Sequence, residues 1–273
     1  MSVSASPLTR AIGRQYDLFQ TSLESLGKQR KYLNYGYTLS GRQTYEERQE
    51  QLCIEVFQAA DIRKEDVVLD VGFGSGEQDF LLARTCEFRR LIGINISEKQ
   101  VQYASRRARE ESLDDKLSFH LGEAEVLHGV EASSVDRLLA IECAFYFDRP
   151  RFYRRAAEAL KPGGLAVLAD ISLADRLTFV TRRAKHLRRL GTRSSNRKQW
   201  EKYFITRSLR SINAWTWRGA QMTVLQILRI APFSGFSGAE VREWMKMAFF
   251  SQLVALGLRL GLVRYDLIVL QKR

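Results

Sequence analysis

Three glycines, spaced two residues apart, follow a short apolar run that contains a single aspartate. The stretch reads Val67-Val-Leu-Asp-Val-Gly-Phe-Gly-Ser-Gly76. Glycine adopts backbone conformations with positive φ and lets a bound molecule approach the main chain closely. The carboxylate of Asp70, two residues before the first glycine, would repel a pyrophosphate and attract a cation. The pattern therefore predicts a site for a small ligand that carries positive charge.

The familiar phosphate-binding patterns do not fit this stretch. The dinucleotide pattern G-x-G-x-x-G would need its third glycine at position 77, where the chain has Glu77. No Lys-Ser or Lys-Thr pair follows the glycines, as a P-loop would require. An ammonium and a sulfonium both suit a nearby carboxylate, and these are the charged groups of S-adenosylmethionine.

The elements that must position this turn alternate between strands and helices. Apolar, β-branched runs predict strands at 67–71, 91–96, 117–121, 135–141 and 165–171. Helices are predicted at 44–60, 98–111 and 150–160, and Ser97 is the expected N-cap of the second. Such alternation is typical of parallel βαβ units in an α/β fold.

Four motifs, in this order, resemble those of the class I S-adenosylmethionine-dependent methyltransferases. The motifs are Leu69-Asp-Val-Gly-Phe-Gly-Ser-Gly76, Gly93-Ile-Asn-Ile-Ser97, Gly122-Glu-Ala-Glu125 and Leu160-Lys-Pro-Gly-Gly164. The resemblance implies a Rossmann-like, doubly wound, mostly parallel seven-stranded sheet with an N-terminal helical arm and a helical cap insertion. It also implies S-adenosylmethionine as the methyl donor.

The resemblance further implies which residues bind the donor. Asn95 stands where the family usually carries an acidic ligand of the ribose hydroxyls, which predicts a weaker, uncharged hydrogen bond. This neutral residue and the tyrosines of 32–37 indicate the branch that acts on small molecules, lipids and natural products, although the tyrosines could simply pack an N-terminal arm. The expected donor-binding residues are Tyr32, Asp70, Gly72, Phe73, Gly74, Gly76, Asn95, Ile96, Gln100, Glu123, Ala124, Glu125 and Glu142.

The acceptor is expected at the end of the fourth strand, in Ile141-Glu-Cys-Ala-Phe-Tyr-Phe147. Nucleic-acid amino-methyltransferases commonly carry an Asn or Asp-Pro-Pro-aromatic tetrapeptide here, and its absence disfavours base methylation. The stretch resembles that of natural-product methyltransferases, with Tyr146 where several relatives carry His. Glu142, Tyr146 and His186 are the candidate catalytic residues. An acceptor that is already an anion would need no base.

All of the excess positive charge lies in one segment. Between Arg176 and Arg218, thirteen Lys or Arg residues stand against Glu201, a local charge of +12 that equals the net charge of the chain. Aromatic residues accompany these cations, which suits an anionic membrane surface or an amphiphilic acid, with RNA disfavoured. A solvated helix whose aromatic residues pack on the domain is the structural alternative. We favour a cap that admits a hydrophobic acceptor with a polar or anionic head.

Four parts are expected along the chain: an N-terminal helical arm (1–60), the donor-binding core (61–172), the basic cap (173–236) and a C-terminal helix and strand (237–273). The apolar run 247–263 is too short for a membrane span and is interpreted as a buried helix leading into a strand. The start lacks a secretory signal, and the cysteines lack disulfide or metal spacing. The protein is expected in the cytoplasm, including a peripheral location at the inner face of the membrane. Whether it forms a homodimer is left open.

The sequence therefore predicts an S-adenosylmethionine-dependent methyltransferase that acts on a small hydrophobic or amphiphilic acceptor. Transfer to the hydroxyl or carboxylate oxygen of a lipid-like, fatty-acid-like or polyketide molecule is favoured. Three alternatives remain: C-methylation of an isoprenoid diphosphate, RNA methylation, and an inactive donor-binding protein that regulates at a membrane.

Overall fold

A seven-stranded sheet organises the chain in the computed structural model, which describes residues 6–27, 32–179, 189–230 and 235–273. The strand order is β3-β2-β1-β4-β5-β7-β6, and β7 runs antiparallel to both of its neighbours. The predicted α/β fold with a mostly parallel seven-stranded sheet is confirmed. The strands are β1 (Val67–Val71), β2 (Arg90–Asn95), β3 (Leu117–Leu121), β4 (Val135–Ile141), β5 (Leu160–Leu173), β6 (Phe204–Ser211) and β7 (Val263–Lys272).

Helices cover the sheet, and several begin at side chains that satisfy the free amide groups of the first turn. Thr44 and Ser237 each form a capping box with a glutamate three residues later. Ser97 accepts a hydrogen bond from the backbone of Gln100, as the N-cap expected from the sequence. The helices are α1 (Pro7–Ser25), α2 (Tyr45–Ala60), α3 (Glu77–Thr85), α4 (Glu98–Glu110), α5 (Arg149–Ala159), α6 (Arg193–Trp200), α7 (Asn213–Ile230) and α8 (Gly238–Arg259).

The strand order reverses between β1 and β4, which pair in parallel. The strands β2 and β3 lie on the β1 side of this pair, and β5, β7 and β6 lie on the β4 side. In an open α/β sheet, this switch point leaves a crevice at the carboxyl ends of the two strands. The glycine turn after β1 and the stretch after β4 therefore meet at one edge. The topology brings the donor and acceptor motifs of the sequence to the same place.

Strand β6 lies inside the expected cap, 173–236, and belongs to the sheet. In this strand only Phe204 is fully buried, and Arg207 and Arg210 interrupt the alternation of apolar residues that would have revealed it. Phe204 and Trp200 pack against the ring of Tyr153 from α5. Charged side chains on an edge strand discourage pairing with another chain.

The run 247–263 contains the end of α8 and the start of β7, as expected, but the helix is buried on one face only. Phe249, Leu253 and Leu256 lie on the other face and are 68%, 49% and 49% exposed. The expectation of a buried helix is wrong for that face, because an apolar run does not show which side packs. Within the described ranges, no helix is long and apolar enough to cross a bilayer.

Two buried aspartates face each other across β5 and β7. Asp170 pairs with Asp266 in the strand register, an arrangement that is unfavourable for like charges. Arg149 donates two hydrogen bonds to Asp170, at 2.6 and 3.2 Å, and Arg193 donates two to Asp266. Each carboxylate therefore has its own guanidinium, and Arg193 links the basic segment to the core of the sheet.

We expect Asp170→Asn to lower the free energy of unfolding by about 3–5 kcal/mol, because the buried guanidinium of Arg149 loses its counter-ion. Urea denaturation of the purified protein measures this change. As a matched control, Glu201→Gln removes the partner of Arg197 in an exposed pair and should cost less than about 1 kcal/mol. Equal losses in the two variants would contradict the assignment of Arg149 and Asp170 as a structural pair.

Candidate active site

A cleft of about 900 Å³ lies at the carboxyl ends of β1, β2 and β4. The glycine turn after β1 contributes Gly72 and Gly74, and β2 contributes Asn95 at its end. The stretch after β4 adds Glu142 and Tyr146 from the opposite side. The two motifs that the sequence singled out therefore line one continuous space.

The three glycines of the turn all have positive φ, at +72°, +61° and +80°, but their surroundings differ. A Cβ atom on Gly72 would come within 2.7 Å of the Cβ of Cys143, and one on Gly76 within 3.1 Å of Ala104. No heavy atom of the described chain lies within 4 Å of the position that a Cβ on Gly74 would take. Packing thus fixes the outer glycines, whereas Gly74 leaves open space where a ligand can lie against the main chain.

Asp70 lies one layer beneath the turn and does not line the cleft, although the sequence suggested a carboxylate beside the ligand. Its Oδ2 accepts a hydrogen bond from Nε2 of Gln78 at 2.6 Å, and Gln78 lines the cleft. Burial raises the pKa of Asp70 to about 6, and burial next to Asp70 raises the pKa of Asp79 well above its usual range. The pair therefore holds one proton and one negative charge below the glycine turn.

Asn95 and Gln100 form the polar wall beside β2. Nδ2 of Asn95 donates to the carbonyl oxygen of Gly74 at 3.1 Å and to Oε1 of Gln100 at 2.7 Å. Oδ1 of Asn95 accepts from the amide of Ile96 at 2.8 Å. Nε2 of Gln100 is buried without a hydrogen-bond partner among the described residues, which costs about 1–3 kcal/mol. A ligand hydroxyl that accepts from Gln100 would remove this cost.

Helix α1 covers one side of the cleft. Oε1 of Gln20 accepts a hydrogen bond from Oγ of Ser75 at 2.6 Å, and Oδ1 of Asp17 accepts one from Oγ of Ser97 at 2.6 Å. These bonds tie the helix to the glycine turn and to the end of β2. Three residues of α1 line the cleft without any local sequence pattern that would have predicted it: Thr9, Ile12 and Tyr16.

Glu142 is a strained, partly buried residue whose carboxyl group lies at the end of β4. Its backbone φ of +52° is rare for a residue with a side chain, and such strain is concentrated at functional sites. Oε1 accepts from the amide of Tyr35 at 2.7 Å and from the hydroxyl of Tyr265 at 2.5 Å. Oε2 makes no hydrogen bond to a described residue. Burial raises the pKa of Glu142 to about 7, against the lowering effect of these two bonds.

Tyr146 lies beside Glu142 and is held from two sides. The hydroxyl of Tyr16 donates to the hydroxyl oxygen of Tyr146 at 3.1 Å, and Nη1 of Arg189 donates to its carbonyl oxygen at 2.6 Å. Burial raises the pKa of Tyr146 above its usual value, so the phenol keeps its proton. Tyr146 can therefore donate a hydrogen bond into the cleft.

Most of the residues expected at the site line the cleft, but three of the described ones do not. Asp70, Gly76 and Glu123 lie outside its lining, and His186 falls outside the described residues. Sequence reasoning also missed lining residues from the N-terminal loop and from positions next to the motifs: Leu33, Asn34, Ser75, Gln78, Cys143, Phe147 and Arg189. The expected residues that do line it are Tyr32, Gly72, Phe73, Gly74, Asn95, Ile96, Gln100, Ala124, Glu125, Glu142 and Tyr146.

The charges around the cleft suit a cationic ligand. Glu125 and Glu142 line it together with Glu77, whose carboxylate pairs with Arg107 at 2.9 Å, against Arg189 as the one Lys or Arg of its described lining. Carboxylates in a partly enclosed site favour the ammonium and sulfonium of S-adenosylmethionine and disfavour phosphate. The open space over Gly74 and the unpaired donor of Gln100 add room for that ligand and a hydrogen-bond partner.

Comparisons with known proteins point to the same ligand class. Residues 69–168 match the family model described as "Methyltransferase domain". The chain is 37% identical over 157 residues to the erythromycin 3''-O-methyltransferase of Saccharopolyspora erythraea, an alignment that covers 57% of this chain and 51% of that protein. It is 33% identical over 186 residues to the 27-O-demethylrifamycin SV methyltransferase of Amycolatopsis mediterranei, covering 68% of this chain and 67% of that protein.

The fold also has solved counterparts. The cyclopropane synthase MmaA2 from Mycobacterium tuberculosis matches with a TM-score of 0.81 at 16% identity, covering 98% of this chain and 100% of that one. This likeness extends the shared architecture over nearly the whole chain. By contrast, the matched region spans about half of the length of the erythromycin relative.

We expect Gly74→Ala to weaken binding of S-adenosylmethionine at least about tenfold, because the new methyl group occupies the space left for the ligand. Isothermal titration calorimetry measures the affinity. Gly129→Ala is the matched control, since Gly129 also has positive φ and open space but lies outside the cleft. Both variants should lose similar stability in thermal unfolding. Unchanged affinity in Gly74→Ala would show that the ligand lies elsewhere.

Proposed function

The chain belongs to the class I S-adenosylmethionine-dependent methyltransferases, and on this premise we propose that it methylates a hydroxyl oxygen of an uncharged, polyketide-like acceptor. The observation that carries the proposal is Glu142, a partly buried residue at the edge of the donor cleft whose Oε2 has no hydrogen-bond partner among the described residues. The two relatives named above support oxygen as the nucleophile, because their names describe O-methylation of erythromycin and methylation of a 27-O-demethylrifamycin.

The work left to the protein is positioning and proton removal. When bound, S-adenosylmethionine supplies a methyl group activated by its sulfonium. The chain must hold the acceptor oxygen in line with that methyl group and keep water out. An aliphatic hydroxyl also loses a proton as the new oxygen–carbon bond forms, so a correctly placed base accelerates the reaction.

Glu142 is the group best suited to accept that proton. Its pKa of about 7 lies close to neutral pH, where a general base combines a useful ionised fraction with useful basicity. The hydroxyl of Tyr265 and the amide of Tyr35 occupy Oε1, which leaves Oε2 for the acceptor. Tyr265 is therefore a positioning residue that also holds the pKa of Glu142 below the value that burial alone would produce.

Tyr146 serves to orient the acceptor rather than to deprotonate it. Its hydroxyl oxygen accepts from Tyr16 and its own proton remains available for an acceptor oxygen. The ring of Tyr16 meets that of Tyr146 edge to face, with centroids 6.0 Å apart, which fixes the direction of the phenol. Arg189 holds the backbone of Tyr146 in place.

The charge of the cleft separates this proposal from its main rivals. An isoprenoid diphosphate or an RNA backbone needs several cations near the reacting centre, and Arg189 is the one such residue in the described lining. Three carboxyl groups around the same space would repel either ligand. An uncharged alcohol meets no such barrier. Membrane contact through 176–218 and a homodimer stay predictions.

Methyl transfer from labelled S-adenosylmethionine to a panel of acceptors tests the proposal. The panel should contain O-demethylated macrolides and other polyketide alcohols, a long-chain carboxylate, geranyl diphosphate and total RNA. We expect label only in the polyketide alcohols, with mass spectrometry showing a methyl ether. Preferred labelling of the diphosphate or of RNA would overturn the acceptor class, and donor binding without any turnover would favour the inactive regulator.

The pH dependence of kcat tests Glu142. A general base must be ionised, so the rate should rise with pH through about 7 and then level off. We expect Glu142→Gln to lower kcat by about 10²–10⁴-fold and to abolish this rise.

Tyr265→Phe is the companion variant. It keeps the ring and Glu142 but removes a hydrogen bond that lowers the pKa of that carboxyl, so the rise in rate should move to higher pH. Retention of the wild-type profile in both variants would exclude Glu142 as the base.

A further inference from the structure

A second cavity of about 670 Å³ lies among helices α1, α2, α7 and α8. Tyr32 and Leu33 line both this cavity and the donor cleft, so their side chains form the wall between the two spaces. Most of the lining is apolar. Its members include Leu23, Leu26, Ile227, Phe236 and Met247.

Trp244 is the unusual residue of this cavity. Its side chain is 8% exposed, and its indole Nε1 is buried without a hydrogen-bond partner among the described residues. The ring packs against Phe19, with centroids 4.5 Å apart. A buried indole N–H normally has a partner, and one without a partner points to an acceptor atom that the described residues do not supply.

The side chains of Thr223, Tyr45 and Gln49, which also line the cavity, are already bonded within the protein. Oγ1 of Thr223 donates to the carbonyl oxygen of Gly219 at 3.1 Å and pairs with the hydroxyl of Tyr45 at 2.7 Å. Nε2 of Gln49 donates to the carbonyl oxygens of Asn34 and Tyr32 at 2.6 and 3.2 Å. The indole of Trp244 is therefore the buried donor that remains open to a ligand.

The charge of the lining restricts that ligand further. Glu46 is the one ionisable Asp, Glu, Lys or Arg in the described lining. An anionic head group would lose its hydration there without a cation among the described lining residues to replace it, which is strongly unfavourable. The cavity therefore suits an uncharged, mainly apolar molecule that carries one oxygen to accept from Trp244.

We propose that this cavity receives the aliphatic arm of the methyl acceptor and that the indole N–H of Trp244 binds an oxygen substituent on that arm. The inference rests on the proposed function, because it places the arm on one side of Tyr32 and Leu33 and the reacting hydroxyl on the other. These two side chains then decide which acceptors reach Glu142. The cavity thereby selects uncharged, oxygenated aliphatic compounds.

Three small probes test the chemistry on the full chain: cyclohexanol, methylcyclohexane and cyclohexanecarboxylate. In protein with ¹⁵N-labelled tryptophan, the indole N–H resonance of Trp244 is identified as the one that the Trp244→Phe variant lacks. We expect cyclohexanol to shift this resonance. Methylcyclohexane should bind without the downfield shift of a new hydrogen bond, and the carboxylate should not bind. Trp244→Phe should weaken the binding of cyclohexanol about 5- to 10-fold and leave the affinity for methylcyclohexane unchanged.

A matched pair of variants on α7 tests the location. Ile227 is buried and lines the cavity, whereas the next residue, Leu228, is 46% exposed. We expect Ile227→Phe to fill the space and weaken cyclohexanol at least about tenfold, and Leu228→Phe to leave its affinity unchanged. An unmoved Trp244 resonance at saturating cyclohexanol, or equal affinity in Ile227→Phe and the wild type, would overturn the proposal.

Titration of the wild type with S-adenosylmethionine keeps the two proposals apart. If the donor binds and methyl transfer occurs but cyclohexanol does not bind, the inference about the cavity fails alone. If the wild type binds cyclohexanol at Trp244 but shows no methyl transfer, the proposed function fails and the cavity stands as a site for uncharged apolar molecules.

Discussion

The carboxyl group of Glu142 joins three parts of the chain that are far apart in sequence. It follows β4 and accepts hydrogen bonds from the amide of Tyr35, in the loop after α1, and from the hydroxyl of Tyr265 on β7. Burial raises the pKa of Glu142 and these two bonds lower it, so docking of the loop and of β7 keeps the carboxyl group ionisable near neutral pH. The same bonds hold its backbone at a positive φ that it would otherwise leave. The acceptor side of the cleft therefore forms only when the whole fold has formed.

The donor side depends on α1 in a comparable way. Gln20 and Asp17 accept hydrogen bonds from Ser75 in the glycine turn and from Ser97 after β2, which keeps the helix over the cleft. Covering the cleft removes water, and charges in a drier site interact more strongly. A ligand that contacts both the turn and the helix binds most tightly when the helix covers the cleft, and it therefore stabilises that arrangement. Donor binding and docking of the N-terminal arm are thus linked through the same residues.

The sequence predicted the parts of this site that have local signals. Glycines after an apolar run, repeated strand and helix patterns, and a turn before β5 together locate the edge of the sheet where ligands bind. Tyr16 and Tyr265 carry no such signal, because they reach Tyr146 and Glu142 only through tertiary packing. Strand β6 was not predicted, since arginines occupy its exposed positions. Asp70 was expected beside the ligand, but β1 is buried on both faces and its side chain lies below the turn.

The basic segment shows why charge counted along a sequence does not identify a partner. Arg193 neutralises Asp266, Arg210 pairs with Glu55 at 2.8 Å, and Arg189 donates to the backbone of Tyr146. These cations hold the sheet, the helices and the site together, and the linings of both cavities are left mainly apolar or acidic. Such linings select ligands by what they exclude, because an anion brought into them loses its hydration without gaining a counter-ion. Under the proposed function, selection for an uncharged acceptor follows from where the described part of the chain has used its arginines.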